Sequence, residues 1–232
     1  MSGILWGHIP ETSTRKADLV ATERANQVTH GFAAFLAAVA VVVLIERAWS
    51  LGGDALLIAC CLSYSVSQFL VYLCSTLSHS YLSGYRKHTF RTLDQVSIFL
   101  MIAGGYTPVG LLVCGGFNGV FVVTSMWILA LAGIAMKVFV RGIQNVPVWY
   151  YVIVGWLPLL NTRQVIDWFP AEGLFWVVAG GASYTIGTYF LLNDSKGRYY
   201  HPTWHVLVIA GSACHFWVMY HYVVPGLTAA AG

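Results

Sequence analysis

Long apolar runs separated by short polar stretches dominate the hydrophobic pattern of this chain. A helix needs about 20 mostly apolar residues to cross the hydrocarbon core of a bilayer. Runs of roughly this length occupy residues 28–49, 55–82, 93–113, 118–140, 147–166, 172–192 and 203–224. The pattern therefore predicts an all-α membrane protein, a bundle of seven transmembrane helices.

The fifth run, residues 147–166, is the weakest of the seven. Pro158 interrupts it, and Asn161 and Arg163 follow closely. If this run did not cross the membrane, the C-terminus would lie on the opposite side. Glycine pairs at Gly104-Gly105 and Gly180-Gly181 fall in the middle of other runs, where small residues allow helices to pack closely.

Composition supports an integral membrane protein. Hydrophobic residues make up 58% of the 232 residues and charged residues only 9%, against about 25% charge in a soluble domain. The five cysteines lie in or beside apolar runs, which favours buried thiols over a disulfide framework. With no linker or repeat, we expect one domain over residues 21–232, preceded by a short cytoplasmic tail, residues 1–20.

The positively charged residues predict the orientation. Alternate loops place ten of the twelve on one side, and only Arg47 and Arg163 on the other. The ten are Arg15, Lys16, Arg24, Arg86, Lys87, Arg91, Lys137, Arg141, Lys196 and Arg198. Because Lys and Arg are enriched in cytoplasmic loops, we expect a cytoplasmic N-terminus and an external C-terminus. The predicted orientation is opposite to that of a G-protein-coupled receptor and argues against that class. A retinal protein needs a lysine in its last span to form a Schiff base, and the last run has none.

Two histidines open the last apolar run. His201 and His205 are four residues apart, so on a helix both imidazoles lie on one face and can ligate one metal ion. Alternatively, both rings lie at the membrane interface and bond to water or lipid headgroups. The second run ends similarly, with Ser75 and His79 one helical turn apart.

Other polar residues fall at the same cytoplasmic end of the expected bundle. Asp94 lies in the first turn of the third run, and Glu23, Asn26 and His30 precede or begin the first. Scattered polar residues would be divided between the two membrane faces. This coincidence therefore favours one functional site, with Glu23, Asn26 and His30 supporting the metal ligands rather than binding the ion.

Three neutral imidazoles, those of His79, His201 and His205, are suitable ligands for zinc. A catalytic zinc has three protein ligands and a fourth position open to water, whose pKa falls to about 7. Asp94 would hold or deprotonate that water, and Ser75 would bond to the water or to a substrate carbonyl. Other borderline divalent ions also suit three imidazoles, and a structural zinc with Cys74 as a fourth ligand stays open.

The remaining histidines are weaker candidates. We expect His30 to bond to Glu23 or Asn26, and His215 to make a hydrogen bond in the middle of the membrane. His8, His88 and His221 are expected to be solvated.

The ordered motifs Glu23-x-x-Asn26-x-x-x-His30, Ser75-x-x-x-His79 with Asp94, and His201-x-x-x-His205 resemble the signature of the progestin and adipoQ receptor superfamily. The short N-terminal tail is most similar to that of its bacterial hemolysin-III-like branch. The resemblance covers residues 20–224. It implies a seven-helix bundle in the cell (inner) membrane and a zinc bound by His79, His201 and His205, with Asp94 and Ser75 positioning its water.

The resemblance also implies lipid chemistry, most often amide hydrolysis of ceramide. We therefore expect a zinc-dependent intramembrane hydrolase of a lipid amide or ester with a role in membrane lipid homeostasis. Its expected partners are membrane lipids and zinc, not nucleic acid. The alternatives are a non-catalytic sensor or regulator of membrane energetics or fluidity, in which zinc is structural, and a haemolysin.

Overall fold

The computed structural model describes residues 13–140 and 145–226. Within these ranges the protein is helical and contains no strand. Its helices are α1 (Ser13–Ser50), α2 (Ala55–His79), α3 (Gly84–Pro108), α4 (Gly116–Phe139), α5 (Val148–Trp156), α6 (Thr162–Trp168), α7 (Ala171–Leu192) and α8 (Tyr200–Val218). The prediction of an all-α fold is therefore confirmed for the described residues.

Six helical segments of the described chain are long and apolar enough to cross a membrane. They span residues 17–50, 55–79, 84–114, 116–139, 171–192 and 200–226. The fifth predicted run is not one regular helix. It consists of α5, a 3-10 segment (Leu157–Asn161) and α6. Proline has no amide hydrogen to donate and clashes with the preceding turn, so the α-helix ends just before Pro158.

Helices α1, α3 and α8 begin earlier than the apolar runs predicted. Part of the expected N-terminal tail is helical, because α1 begins at Ser13. Arg86, Lys87 and Arg91, expected in a loop, lie in α3, and Asp94 is in its third turn rather than its first. Hydropathy detects only the part of a helix that suits lipid, whereas the helix itself continues through polar residues of good helix propensity.

Helix α2 is well defined at both ends. Asp54 caps its N-terminus, its Oδ1 accepting a hydrogen bond of 2.8 Å from the Leu57 amide, as is typical of an N-cap carboxylate. The helix ends at His79, three residues before the end predicted from hydropathy.

Proline also alters α3. At Pro108 the helix passes into a π-helical continuation, Val109–Cys114. Because Pro108 cannot donate to the preceding turn, the regular hydrogen-bond ladder is interrupted there. A second π-helical segment, Met219–Val223, extends α8.

Small side chains bring α1, α2 and α8 together. Ala33, Ala34 and Ala37 of α1 form a buried cluster with Tyr72 of α2 and Val208 of α8, among others. Such small residues let helix backbones approach closely in a membrane. This packing brings the C-terminal end of α2 beside the N-terminal end of α8, where the candidate histidines lie.

Candidate metal centre

Three histidines meet where α2 ends and α8 begins. His79 is the last residue of α2, and His201 and His205 lie in the first two turns of α8. One ring nitrogen from each can be chosen so that all three lie within 4.8 Å of one another. The ring centroids are 5.2 Å apart for His79–His201, 5.1 Å for His79–His205 and 4.8 Å for His201–His205. The described structure therefore brings together all three predicted metal ligands.

Each of these rings has a polar neighbour at Nδ1. The Nδ1 of His79 is 2.6 Å from Glu23 Oε2, and that of His205 is 3.2 Å from Thr29 Oγ1. The Nδ1 of His201 is 3.5 Å from Asp194 Oδ2. Metal-ligating histidines usually engage their other nitrogen in this way, which fixes the ring orientation. The arrangement leaves Nε2 of each ring as the nitrogen for a metal ion.

The Asp194 carboxylate lies in the short connection between α7 and α8, outside the membrane-spanning helices. Its hydrogen bond with His201 holds the pKa of the Asp194 carboxyl below its ordinary value, although partial burial acts in the opposite direction. Asp194 therefore stays ionised beside His201.

Asp94, on α3, lies at the same end of the bundle as the histidines. Its carboxylate is within electrostatic range of His79 and His201. Ser78 Oγ donates a hydrogen bond of 3.1 Å to Asp94 Oδ2. Ser75, which was expected to bond to the metal-bound water or to a substrate carbonyl, is buried in α2. Its backbone carbonyl lies 3.0 Å from the same Ser78 hydroxyl, whose single hydrogen is therefore shared between two acceptors. Ser78 thus links α2 to this carboxylate.

The predicted partners of His30 were wrong. Its ring stacks on that of His205, with centroids 3.5 Å apart, and meets Tyr72 edge-on at 5.1 Å. Neither His30 nitrogen, nor the side-chain oxygen of nearby Asn26, has a hydrogen-bond partner in the described structure. His30 therefore contacts a candidate ligand through ring stacking, and Glu23 bonds to His79 instead.

Four residues at the site were not identified from the sequence. They are Thr29, Ser78, Lys87 and Asp194. Ser78 adjoins His79, so its position in the chain was an available signal. The other three have neighbours that depend on how α1, α3 and the connection before α8 pack, which the sequence pattern does not reveal.

A polar network lies deeper in the bundle, about two turns along α8 from His205. Tyr72 donates a hydrogen bond of 2.5 Å to Ser212 Oγ, which donates one of 2.9 Å to Gln68 Oε1. Tyr184 Oη also lies 2.9 Å from Ser212 Oγ. These bonds join α2, α7 and α8 and satisfy polar groups that would be costly to leave unpaired within a membrane.

The other predictions for histidine and cysteine have clear outcomes. His215 Nε2 lies 3.3 Å from the Val177 carbonyl oxygen, which confirms the expected hydrogen bond within the membrane region. His88 and His221 are exposed, although His88 lies in α3 rather than in a loop. All five cysteines are free thiols, as predicted. His8 and Arg141 lie outside the described residues.

Taken together, the fold and the histidine cluster define a helical membrane protein with a candidate metal centre at one end of its bundle. The profile of the family described as "Haemolysin-III related" matches residues 19–216. The chain belongs to this family, which is the bacterial branch of the progestin and adipoQ receptor superfamily indicated by its motifs.

Individual relatives agree with this assignment. The chain is 37% identical over 216 residues to "Hemolysin-3" of Bacillus cereus, covering 93% of this chain and 98% of the relative. It is 32% identical over 203 residues to "Hemolysin-3 homolog" of Bacillus subtilis (strain 168), covering 87% and 94%. It is also 25% identical over 166 residues to the human "Monocyte to macrophage differentiation factor", covering 69% and 68%.

Proposed function

We propose that this protein is a zinc-dependent intramembrane hydrolase that cleaves an amide or ester bond of a membrane lipid and thereby contributes to lipid homeostasis. The observation that carries the proposal is the convergence of three imidazole ligand atoms within 4.8 Å of one another, within electrostatic range of the Asp94 carboxylate. Three such ligands are typical of catalytic zinc, which keeps a fourth position open.

The donor set fits zinc. Imidazole nitrogens are suitable ligands for this borderline ion, and each ring is held through its other nitrogen by Glu23, Asp194 or Thr29. When bound, zinc would polarise a substrate carbonyl and lower the pKa of water. His79, His201 and His205 would hold it.

The protein's own groups supply the proton transfers. Asp94 accepts a proton from the attacking water as that water adds to the carbonyl carbon, and then gives the proton to the departing nitrogen or oxygen. The hydrogen bond from Ser78 keeps the Asp94 carboxylate in one orientation during both steps.

We propose that the bundle crosses the membrane seven times, with the segment from α5 to α6 as the fifth crossing. Val148–Trp156, Leu157–Asn161 and Thr162–Trp168 follow one another without a gap, and a helix of this combined length would span about 30 Å. Irregular backbone is tolerated within a membrane where protein buries it. Asn161, at the irregular point, is fully buried and donates to the Tyr106 hydroxyl at 2.8 Å.

The proposed orientation places the N-terminus in the cytoplasm and the C-terminus outside the cell membrane, so that the metal centre lies on the cytoplasmic side. It rests on the distribution of Lys and Arg. Reporter fusions that are active on only one side of the membrane test it at both termini. Opposite sides would support seven crossings, whereas both termini on one side would contradict them.

A second candidate is a non-catalytic membrane regulator with structural zinc. This candidate is favoured because the three histidines come from α2 and α8, two helices far apart in the chain, which a bound ion would link. In that case, metal removal would lower the stability of the bundle and no lipid would be turned over. The name of the Bacillus cereus relative suggests lysis instead, but a chain this rich in apolar spans is poorly suited to entering a foreign membrane from water.

Metal analysis of the purified full-length protein tests the metal centre. The native protein should bind one zinc, whereas His79→Ala and His205→Ala should lose most of it. His88→Ala is the matched control, since His88 is exposed on α3. Equal metal content in all four proteins would contradict the assignment of the ligands.

Lipid turnover then separates the hydrolase from the regulator. Asp94→Asn should retain zinc but lower the rate about 10²- to 10⁴-fold, the usual contribution of a general base. Asp167→Asn, a change at an exposed carboxylate on α6, should leave the rate unchanged. Absence of turnover of neutral lipid amides and esters by the zinc-loaded native protein, or full activity in Asp94→Asn, would contradict the catalytic proposal.

A further inference from the structure

Lys87 is buried at the start of α3. Its side chain is only 7% exposed, although it is a lysine near the end of a membrane helix. Lysine at such a position usually extends towards water and headgroups. Here its ammonium group instead lies between helices, 3.1 Å from Glu23 Oε1 and 3.2 Å from Glu23 Oε2.

The Glu23 carboxylate joins this lysine to the metal centre. Its Oε2 is also 2.6 Å from Nδ1 of His79. Lys87, Glu23 and His79 therefore form a continuous polar chain from α3 through α1 to the end of α2. The Glu23 side chain is 18% exposed and that of His79 is 9% exposed, so water screens this chain weakly.

The other two candidate ligands are held differently. Asp194, beside His201, is 48% exposed at a distance of 3.5 Å, and the partner of His205 is the neutral hydroxyl of Thr29. Of the three contacts, the short one between Glu23 and His79 is therefore the buried contact that involves a carboxylate. The Glu23 carboxylate is in turn held by the ammonium group of Lys87.

We propose that Lys87 is a positioning residue for the metal centre, acting through Glu23 on the ring of His79. By bridging both carboxylate oxygens, Lys87 fixes the plane of the Glu23 side chain so that Oε2 faces Nδ1 of His79. This inference rests on the proposed zinc site, but it concerns zinc affinity and does not require lipid turnover.

The physical reason is the cost of an uncompensated buried charge. Removing one partner of a buried ion pair leaves the other in a medium that solvates it poorly. Without Lys87, the Glu23 carboxylate is expected to turn towards water, and His79 then loses the acceptor that orients it. Loss of such a supporting contact typically weakens metal affinity about 10- to 100-fold.

Zinc affinity of the detergent-purified full-length protein, measured by competition with a chelating indicator, tests the role of Lys87. Lys87→Met should weaken binding about 10- to 100-fold. Lys87→Arg should stay close to native affinity, because a guanidinium can also bridge both oxygens of a carboxylate. Arg86→Met is the matched control: it removes a neighbouring positive charge that is exposed and lies against the Tyr81 ring, and it should not change affinity.

A double-substitution cycle with Glu23→Gln shows whether Lys87 acts through the carboxylate. Glu23→Gln alone should weaken zinc binding to a similar degree. Adding Lys87→Met to it should change affinity by less than about threefold, since substitutions on one path are strongly coupled. This double variant contains no unpaired buried charge and so should fold even if Lys87→Met alone does not. An equal loss in both backgrounds would overturn the proposal.

Zinc affinity and the unfolding temperature of the metal-free protein together separate positioning of His79 by Lys87 from simple packing of α3 against α1. If Lys87 only held α3 against α1, Lys87→Met would lower the unfolding temperature of the metal-free protein while zinc affinity stayed native, which overturns the inference. Native affinity in Lys87→Met would refute the inference and leave the zinc hydrolase intact. The expected loss of affinity in a protein without turnover would support the inference and refute the hydrolase. No zinc binding by the native protein would overturn both.

Discussion

The glycine pair in α3 provides a sharp test of the packing between α2 and α3. A methyl group added at Gly104 would lie 2.7 Å from the Ser63 carbonyl oxygen and 2.7 Å from Ser67 Oγ, both on α2. The carbonyl belongs to helix backbone and cannot rotate away. Gly104→Ala should therefore push the two helices apart, at a cost of about 1–3 kcal/mol for overpacking.

Gly105 is the matched control within the same helix. A methyl group there would lie 3.8 Å from Nε2 of Gln68 on α2, which is an ordinary van der Waals contact. Both substitutions gain the same helix propensity, up to about 1 kcal/mol, so this contribution cancels when the two variants are compared. Gly104→Ala should consequently be less stable than Gly105→Ala by about 1–3 kcal/mol.

Unfolding of the purified protein by SDS in mixed micelles, followed by circular dichroism, measures this difference. Both variants must be compared with the native protein at the same detergent ratio. The interface between α2 and α3 also brings Ser78 to Asp94, so Gly104→Ala should disturb the candidate metal centre as well. Equal stability of the two variants would refute the close approach of α2 and α3 at Gly104.

Two further predictions use the same logic of neighbouring residues. A methyl group at Gly180 would clash with the imidazole of His215 on α8, whereas one at Gly181 would have nothing within 4 Å. Gly180→Ala should therefore lower the unfolding temperature and Gly181→Ala should not. Ser78→Ala removes the hydroxyl that donates to Asp94 and should slow lipid turnover more than Ser75→Ala does, as measured by product release. A larger effect at Ser75 would favour the assignment made from the sequence.

The sequence predicted the helical class and the histidine cluster because both depend on local spacing. An apolar run of about 20 residues indicates a membrane helix whatever surrounds it. Likewise, the spacing of His201 and His205 places both rings on one face of a helix. His79 could be grouped with these two histidines because the distribution of Lys and Arg predicts that the end of α2 and the start of α8 lie on the same side of the membrane.

The sequence was less informative where neighbours come from distant parts of the chain. Lys87 was counted as a loop residue, because a lysine outside an apolar run is normally solvated. Its burial depends on Glu23, 64 positions earlier. His30 was assigned a bond within its own helix, whereas the structure stacks it on His205. Such contacts follow from helix packing, which residue spacing along one helix does not determine.

The charges around the histidines explain why this site suits a cation. The rings themselves are formally neutral, so the local balance is set by their neighbours. Glu23, Asp94 and Asp194 contribute three negative charges, while Lys87 and Arg91 contribute two positive ones within electrostatic range of them. The balance is therefore negative by one charge in a region that screens weakly. A divalent cation is attracted to such a region. Glu23, which is not among the three candidate ligands, acts in addition by orienting the ring of His79 through their 2.6 Å contact. This orientation, rather than the net charge, is the reason that removing the Lys87 cation is expected to weaken metal binding.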